Sequence, residues 1–66
     1  TNYDLEVILL TQDSNDLEII SNRIVNYLND ATTGNIEDIR FINDLQSFDN
    51  EKNIYSNQLS FNVIYD

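Results

Sequence analysis

The chain has 66 residues, of which three are basic and twelve acidic, and it contains no His, Cys or Met. A formal charge of −9 on so small a body steers basic partners in and repels phosphate-bearing ligands. Without His or Cys there is no imidazole base, no thiol nucleophile, no soft-metal ligand and no disulfide.

Length sets the next bound. A chain of this size reads as one domain over residues 1–66, and it buries only about 60% of the surface its unfolded form exposes. Below about 70–80 residues a domain draws on disulfides, a metal or association to supplement its core, so self-association is the expected supplement here. No basic segment precedes an apolar one at the start, and no run of about 18 apolar residues occurs, which points away from secretion and membrane spanning. Seven aromatics and a hydrophobic fraction of 41% argue for a folded chain despite the charge.

Tyr3 to Leu10 alternates, with Tyr3, Leu5, Val7 and Leu9 on one face and Asp4, Glu6, Ile8 and Leu10 on the other, the period of a strand. Asp13-Ser14-Asn15-Asp16 is a turn-and-cap cluster. Asn15 as N-cap would set Glu18 in a capping-box position, with Ser14 a close second. Leu17, Ile20, Ile24 and Leu28 then recur at helical spacing, flanked by the polar Ser21 and widened by Val25 and Tyr27. The helix should end near Asp30 or Ala31. Thr32-Thr33-Gly34-Asn35 follows as an exit turn holding the only Gly, the residue suited to a left-handed position.

Ile36 to about Leu45 reads as a second strand, with Ile39 and Phe41 opposite Arg40 and Ile42. Asp49 to Asn53 is polar enough for a loop. Gln58 to Tyr65 closes the chain, with Leu59, Phe61, Val63 and Tyr65 on one face. The expected fold is α+β, a β-α-β-β domain whose three-stranded mixed sheet carries one helix on one face. Strands one and two should run parallel after a right-handed crossover, and strands two and three should form a long-looped hairpin. The helix should cover Leu5, Val7, Leu9, Ile39, Phe41, Leu59, Phe61 and Val63. That leaves Ile8, Leu10, Ile42 and Ile64, with Arg40 beside them, on an uncovered face expected to be an interface.

Catalytic chemistry is reduced to carboxylates. Asp13 with Asp16, Asp38 with Asp44, and Glu37 with Asp38 are the pairs to consider, but a sheet with one helix offers no cleft between them. No catalytic residue is expected. A calcium loop begun at Asp13 puts Glu18 and Ile24 where Gly and Glu are required, so it fails, and no metal or cofactor is expected. Phosphate-binding and dinucleotide motifs are missing. Arg23, Arg40 and Lys52 are the whole cationic inventory, which disfavours direct nucleic-acid binding. The same shortage counts, less strongly, against capture of a cyclic nucleotide. Exposed Asp4, Glu6, Glu18, Asp30, Asp38, Asp44, Asp49, Glu51 and Asp66 would either mimic nucleic-acid phosphates before a basic groove or merely keep the protein in solution.

Ile36-Glu37-Asp38-Ile39-Arg40-Phe41, an acidic loop, and Ile54-Tyr55-Ser56 leading to Ser60-Phe61-Asn62-Val63-Ile64-Tyr65 resemble the small acidic proteins associated with sporulation in spore-forming Firmicutes and found in their phages. The helix's Asn26-Tyr27-Leu28 fits the same pattern, whereas the basic residue expected near the start is missing. The resemblance implies a fold and no catalytic residue. Abundant Asn and Ile suit an AT-rich bacterial genome. The expectation is therefore a small cytoplasmic binding protein of a bacterial cell, without enzymatic activity. It would be a phage or mobile-element inhibitor of a basic host protein, acting through an acidic surface (Asp4, Glu6, Asp38, Asp44, Asp49, Glu51) and an apolar patch. The alternative is a host accessory protein whose partner is itself, as a dimer or larger assembly.

Overall fold

The computed structural model describes residues 1–29 and 34–65 and holds one helix and three strands among them: β1 (Asn2–Thr11), α1 (Ser14–Leu28), β2 (Ile36–Asp49) and β3 (Ile54–Tyr65). The α+β fold and the β-α-β-β order match the expectation. The sheet order is β1-β3-β2, so the last strand lies in the middle. β1 and β2 do run the same way, but β3 separates them and both ladders are antiparallel, where a mixed sheet was expected. The reason is burial. β3 carries the most continuous apolar alternation, and only a central strand is covered along both edges.

Asp13, not Asn15 or Ser14, caps the helix. Its extended backbone turns the chain, and its Oδ1 accepts from the Asn15 N–H at 2.8 Å and the Asp16 N–H at 3.3 Å. A carboxylate there satisfies orphan amides and sits at the positive end of the helix dipole. Asp13 is itself fixed, its N–H donating to Thr11 Oγ1 at 3.1 Å. At the other end the helix stops at Leu28, ahead of the expected exit at Asp30 or Ala31, which lie outside the described residues, as do Thr32 and Thr33. Gly34 has φ +54°, the left-handed backbone foreseen for it. Asn29 leaves the helix with extended backbone, and its Oδ1 accepts the Phe41 N–H at 2.9 Å, tying the helix end to β2.

The core forms where the apolar alternations meet. Phe61 is fully buried, joined by Leu59, Val63 and Ile39, and Leu5, Val7, Leu9, Phe41, Ile36, Ile24, Val25 and Leu28 pack around them. All eight expected sheet residues are in this cluster. The Phe41 and Phe61 rings lie 5.5 Å apart. The helix stripe is rotated from the expected one. Leu17 and Ser21 are its buried residues, Ile20 moves to the exposed flank and Tyr27 points into solvent.

The hairpin is longer and its loop shorter than expected. β2 runs to Asp49 and β3 starts at Ile54, leaving only Asn50–Asn53 as the turn. Asp49 Oδ1 accepts from the Glu51 and Lys52 amides at 3.0 and 3.2 Å, and Asn53 takes the positive φ of 55° that Asn tolerates. Ring contact between Phe48 and Tyr55 at 4.5 Å and the Ser47–Ser56 hydroxyl pair at 2.9 Å fix the register of this arm. Near the other end of the sheet the Tyr3 and Tyr65 rings meet edge to face at 5.2 Å, and the Tyr65 N–H donates to the Thr1 carbonyl at 2.8 Å.

Candidate interaction surfaces

Residues opposite one another in a ladder point to the same side of the sheet, so the register sorts every side chain. On the side away from the helix, successive rows from the hairpin are Ile54 with Asp49, then Leu10, Ser56 and Ser47, then Ile8, Gln58 and Leu45. The rows after these are Glu6, Ser60 and Asn43; Asp4, Asn62 and Arg40; and Asn2, Ile64 and Asp38. Ile8, Leu10 and Leu45 are 63%, 68% and 68% exposed in two adjacent rows, Ile8 and Leu10 side by side on β1 and Leu45 across Gln58 from Ile8, and they mark an apolar pad with Gln58 at its middle. Carboxylates flank it, Glu6 and Asp4 on one side and Asp49 on the other.

This corrects the expected patch. Ile64 shares the helix-free face but is half-buried and six residues along β3 from Gln58, about 20 Å at the strand rise, so it does not adjoin Ile8. Leu45 takes its place. Ile42 is the extra residue where the β2–β3 register slips between Phe41 and Asn43, and it is 55% exposed at that bulge. Arg40 is committed to its own strand, its Nε donating to Asp38 Oδ2 at 2.7 Å.

The bulge also divides the acidic set. Between the two register slips the odd-numbered Ile39 and Phe41 face the helix side, and after the second slip the even-numbered residues do, because one extra residue inverts the alternation. Asp44, opposite Leu59, therefore lies on the helix side, away from Asp4, Glu6 and Asp38. Asp49 and Glu51 belong to the hairpin end. The carboxylate pairs considered for chemistry are occupied or separated: Asp13 caps α1, Asp38 holds Arg40, and Asp44 lies on the opposite face from Asp38. Among the described residues no three of His, Cys, Asp or Glu are grouped to hold a metal ion, and no helix is long and apolar enough to cross a membrane.

One site was invisible in the sequence reading. Asn57 is fully buried between Leu9 and Gln46 in the ladders, and its Nδ2 donates to Ser21 Oγ at 3.0 Å and Asp44 Oδ2 at 3.3 Å. Its Oδ1 is buried with no donor. The signal was Ser21 within the helical stripe and Asn57 in phase with Leu59, Phe61 and Val63. Towards the hairpin from this polar cluster, α1 and β2 part to form a cavity of about 380 Å³ lined by Glu18, Asn22, Gln46 and Tyr55 among others. A second cavity, about 260 Å³, lies on the other side against Leu10, Ser47, Asp49, Lys52 and Ile54.

No family model matches this sequence, and comparison with curated proteins and with solved structures gives no match.

Proposed function

We propose that this chain is a non-enzymatic acidic binding protein that docks on a basic surface of another protein and blocks it. The setting that suits it is the cytoplasm of a bacterial cell, where it serves a phage or mobile element as an inhibitor of a host nucleic-acid-handling or defence protein. The carrying observation is the pad of Ile8, Leu10 and Leu45 bordered by Glu6, Asp4 and Asp49. An apolar surface with carboxylates at both ends, Lys52 standing beside Asp49 at one of them, fits a partner whose interface has an apolar centre and a mainly basic rim. The net charge of −9 adds long-range attraction for such a partner. The resemblance to small acidic proteins of Firmicutes and their phages supports the biological setting.

The test is capture from bacterial lysate with the wild-type chain and with an Ile8→Asp/Leu10→Asp double variant, followed by binding of the purified pair. A basic partner retained only by the wild type, displaced by duplex DNA, is the expected result. Its association should slow steeply from about 0.1 M to about 1 M salt, where the screening length falls from about 10 Å to about 3 Å. A partner that ignores both the salt and the variant would refute the proposal, as would recovery of the chain alone.

A further inference from the structure

From residue 43 to 49 every residue of β2 is exposed, and among the described residues this stretch pairs with β3 alone. Proteins blunt such edges with Lys, Pro or a bulge. This stretch has none of these, since both register slips of β2 fall upstream, between Ile36 and Asp38 and between Phe41 and Asn43. Its only charges are Asp44 and Asp49. Leu45 and Phe48 stand exposed on opposite faces, and the two cavities open beside the strand, one on each face. The helix-side cavity holds one carboxylate, Glu18, beside the polar side chains of Asn22, Gln46 and Tyr55, with Ser14 and Asn15 of the first helical turn at its border. Behind Gln46, its ladder partner Asn57 keeps an acceptor without a donor.

We propose that the Asn43–Asp49 edge takes an extended basic segment of the partner as a fourth strand, with an Arg or Lys side chain entering the notch between α1 and β2 towards Glu18 and Tyr55. This rests on the reading of the partner as basic and adds how it is gripped. Main-chain pairing supplies affinity, and alternate side chains reach opposite faces, so the favoured segment alternates basic with aliphatic residues. The basic residues meet Glu18 and the Tyr55 ring, while the aliphatic ones lie against Leu45. A second copy of this chain fits less well. Its own edge segment brings two carboxylates and no cation, and each copy carries −9.

The probe is a capped octapeptide alternating Arg and Val, used with two derivatives N-methylated on all Arg or on all Val residues. In an added strand one set of amides faces β2 and the other faces away. One derivative should therefore bind about tenfold or more weakly, through loss of two or three main-chain hydrogen bonds, while the other stays near the parent. Amide shifts should fall on residues 43–49. Glu18→Gln, at an exposed position, should weaken the Arg peptide severalfold and leave a peptide with Gln for Arg unchanged. Equal effects of the two methylation patterns would overturn strand addition, as would shifts confined to Ile8 and Leu10. Protection of the 43–49 amides that grows with protein concentration in the absence of peptide would make the occupant a second copy. If strand addition fails while the lysate partner still requires Ile8 and Leu10, this inference falls and the proposed function stands. If the captured partner is not basic, the proposed function falls whatever the peptide does.

Discussion

The two halves of this sheet are built on different principles. Around Phe61 the strands are held by burial: Leu5, Phe41, Leu59 and Val63 surround one ring, and Ile24, Val25 and Leu28 of the helix close over them. Around Tyr55 and Asn57 they are held by pairwise polar and aromatic contacts, the Ser47–Ser56 hydroxyls, the Phe48–Tyr55 rings and the Asn57 amide to Ser21 and Asp44. The first half is non-directional and tolerant of the residues around its rim. The second is directional, and each contact there depends on a particular atom. Stability is concentrated in one half, while acceptors, exposed edges and cavities are concentrated in the other.

That division is open to attack by substitution. Phe61→Ala should be the largest lesion, costing about 3–5 kcal/mol for a fully buried ring, comparable to the total stability of a domain this small. Thermal or urea unfolding should find the variant largely unfolded, and an unchanged melting temperature would erase the contrast. Asn57→Ala should cost about 1–3 kcal/mol, because Ser21 is left buried without its partner. Replacing both polar groups, Asn57→Leu with Ser21→Ala, should recover most of that loss, since the orphaned Oδ1 goes with them. If the double variant is no better than the single one, the amide contributes more than local pairing. Asp13→Ala removes two helix-cap bonds and should cost about 1 kcal/mol, with Asp13→Asn much milder, read from urea midpoints. Ile8→Asp and Leu45→Lys sit on the exposed pad and should shift stability by no more than about 0.5 kcal/mol while abolishing partner binding, so equilibrium unfolding and a binding assay should dissociate.

The apolar half was legible before the structure because its signal is periodic. Leu5-Val7-Leu9 and Leu59-Phe61-Val63 alternate cleanly, and an alternation that matches the pleat identifies its own buried face. The hairpin arm was not. Gln46-Ser47-Phe48 and Tyr55-Ser56-Asn57 show no apolar period, and only their pairing across a tight turn makes them strands. The cap was misplaced because four consecutive residues, Asp13 to Asp16, all have capping side chains, and the signal that favours Asp13, the Thr11 hydroxyl two residues before it, is a weak local turn pattern. The pad gained Leu45 because a single extra residue near Ile42 inverts the alternation of β2 beyond it, and it lost Ile64 because that residue lies far along β3. The place of Gln46 beside the notch at Glu18 depends on that inversion too.

The central position of β3 has a consequence for how the chain is made. Both ladders of the sheet run through the last strand, and its Tyr65 N–H reaches the Thr1 carbonyl. Synthesis proceeds from the other end at about 5–20 residues per second, so β1, α1 and β2 all emerge before either edge has a strand to pair with. Neither ladder of this sheet can begin to form until β3 starts to emerge. Until β3 arrives to pair with them, β1 and β2 have no ladder, and Leu5, Val7, Ile39 and Phe41 lack the central strand that covers them. High negative charge carried by those waiting segments, Asp4 and Glu6 on β1 and Glu37, Asp38, Asp44 and Asp49 on β2, keeps nascent copies apart during that interval.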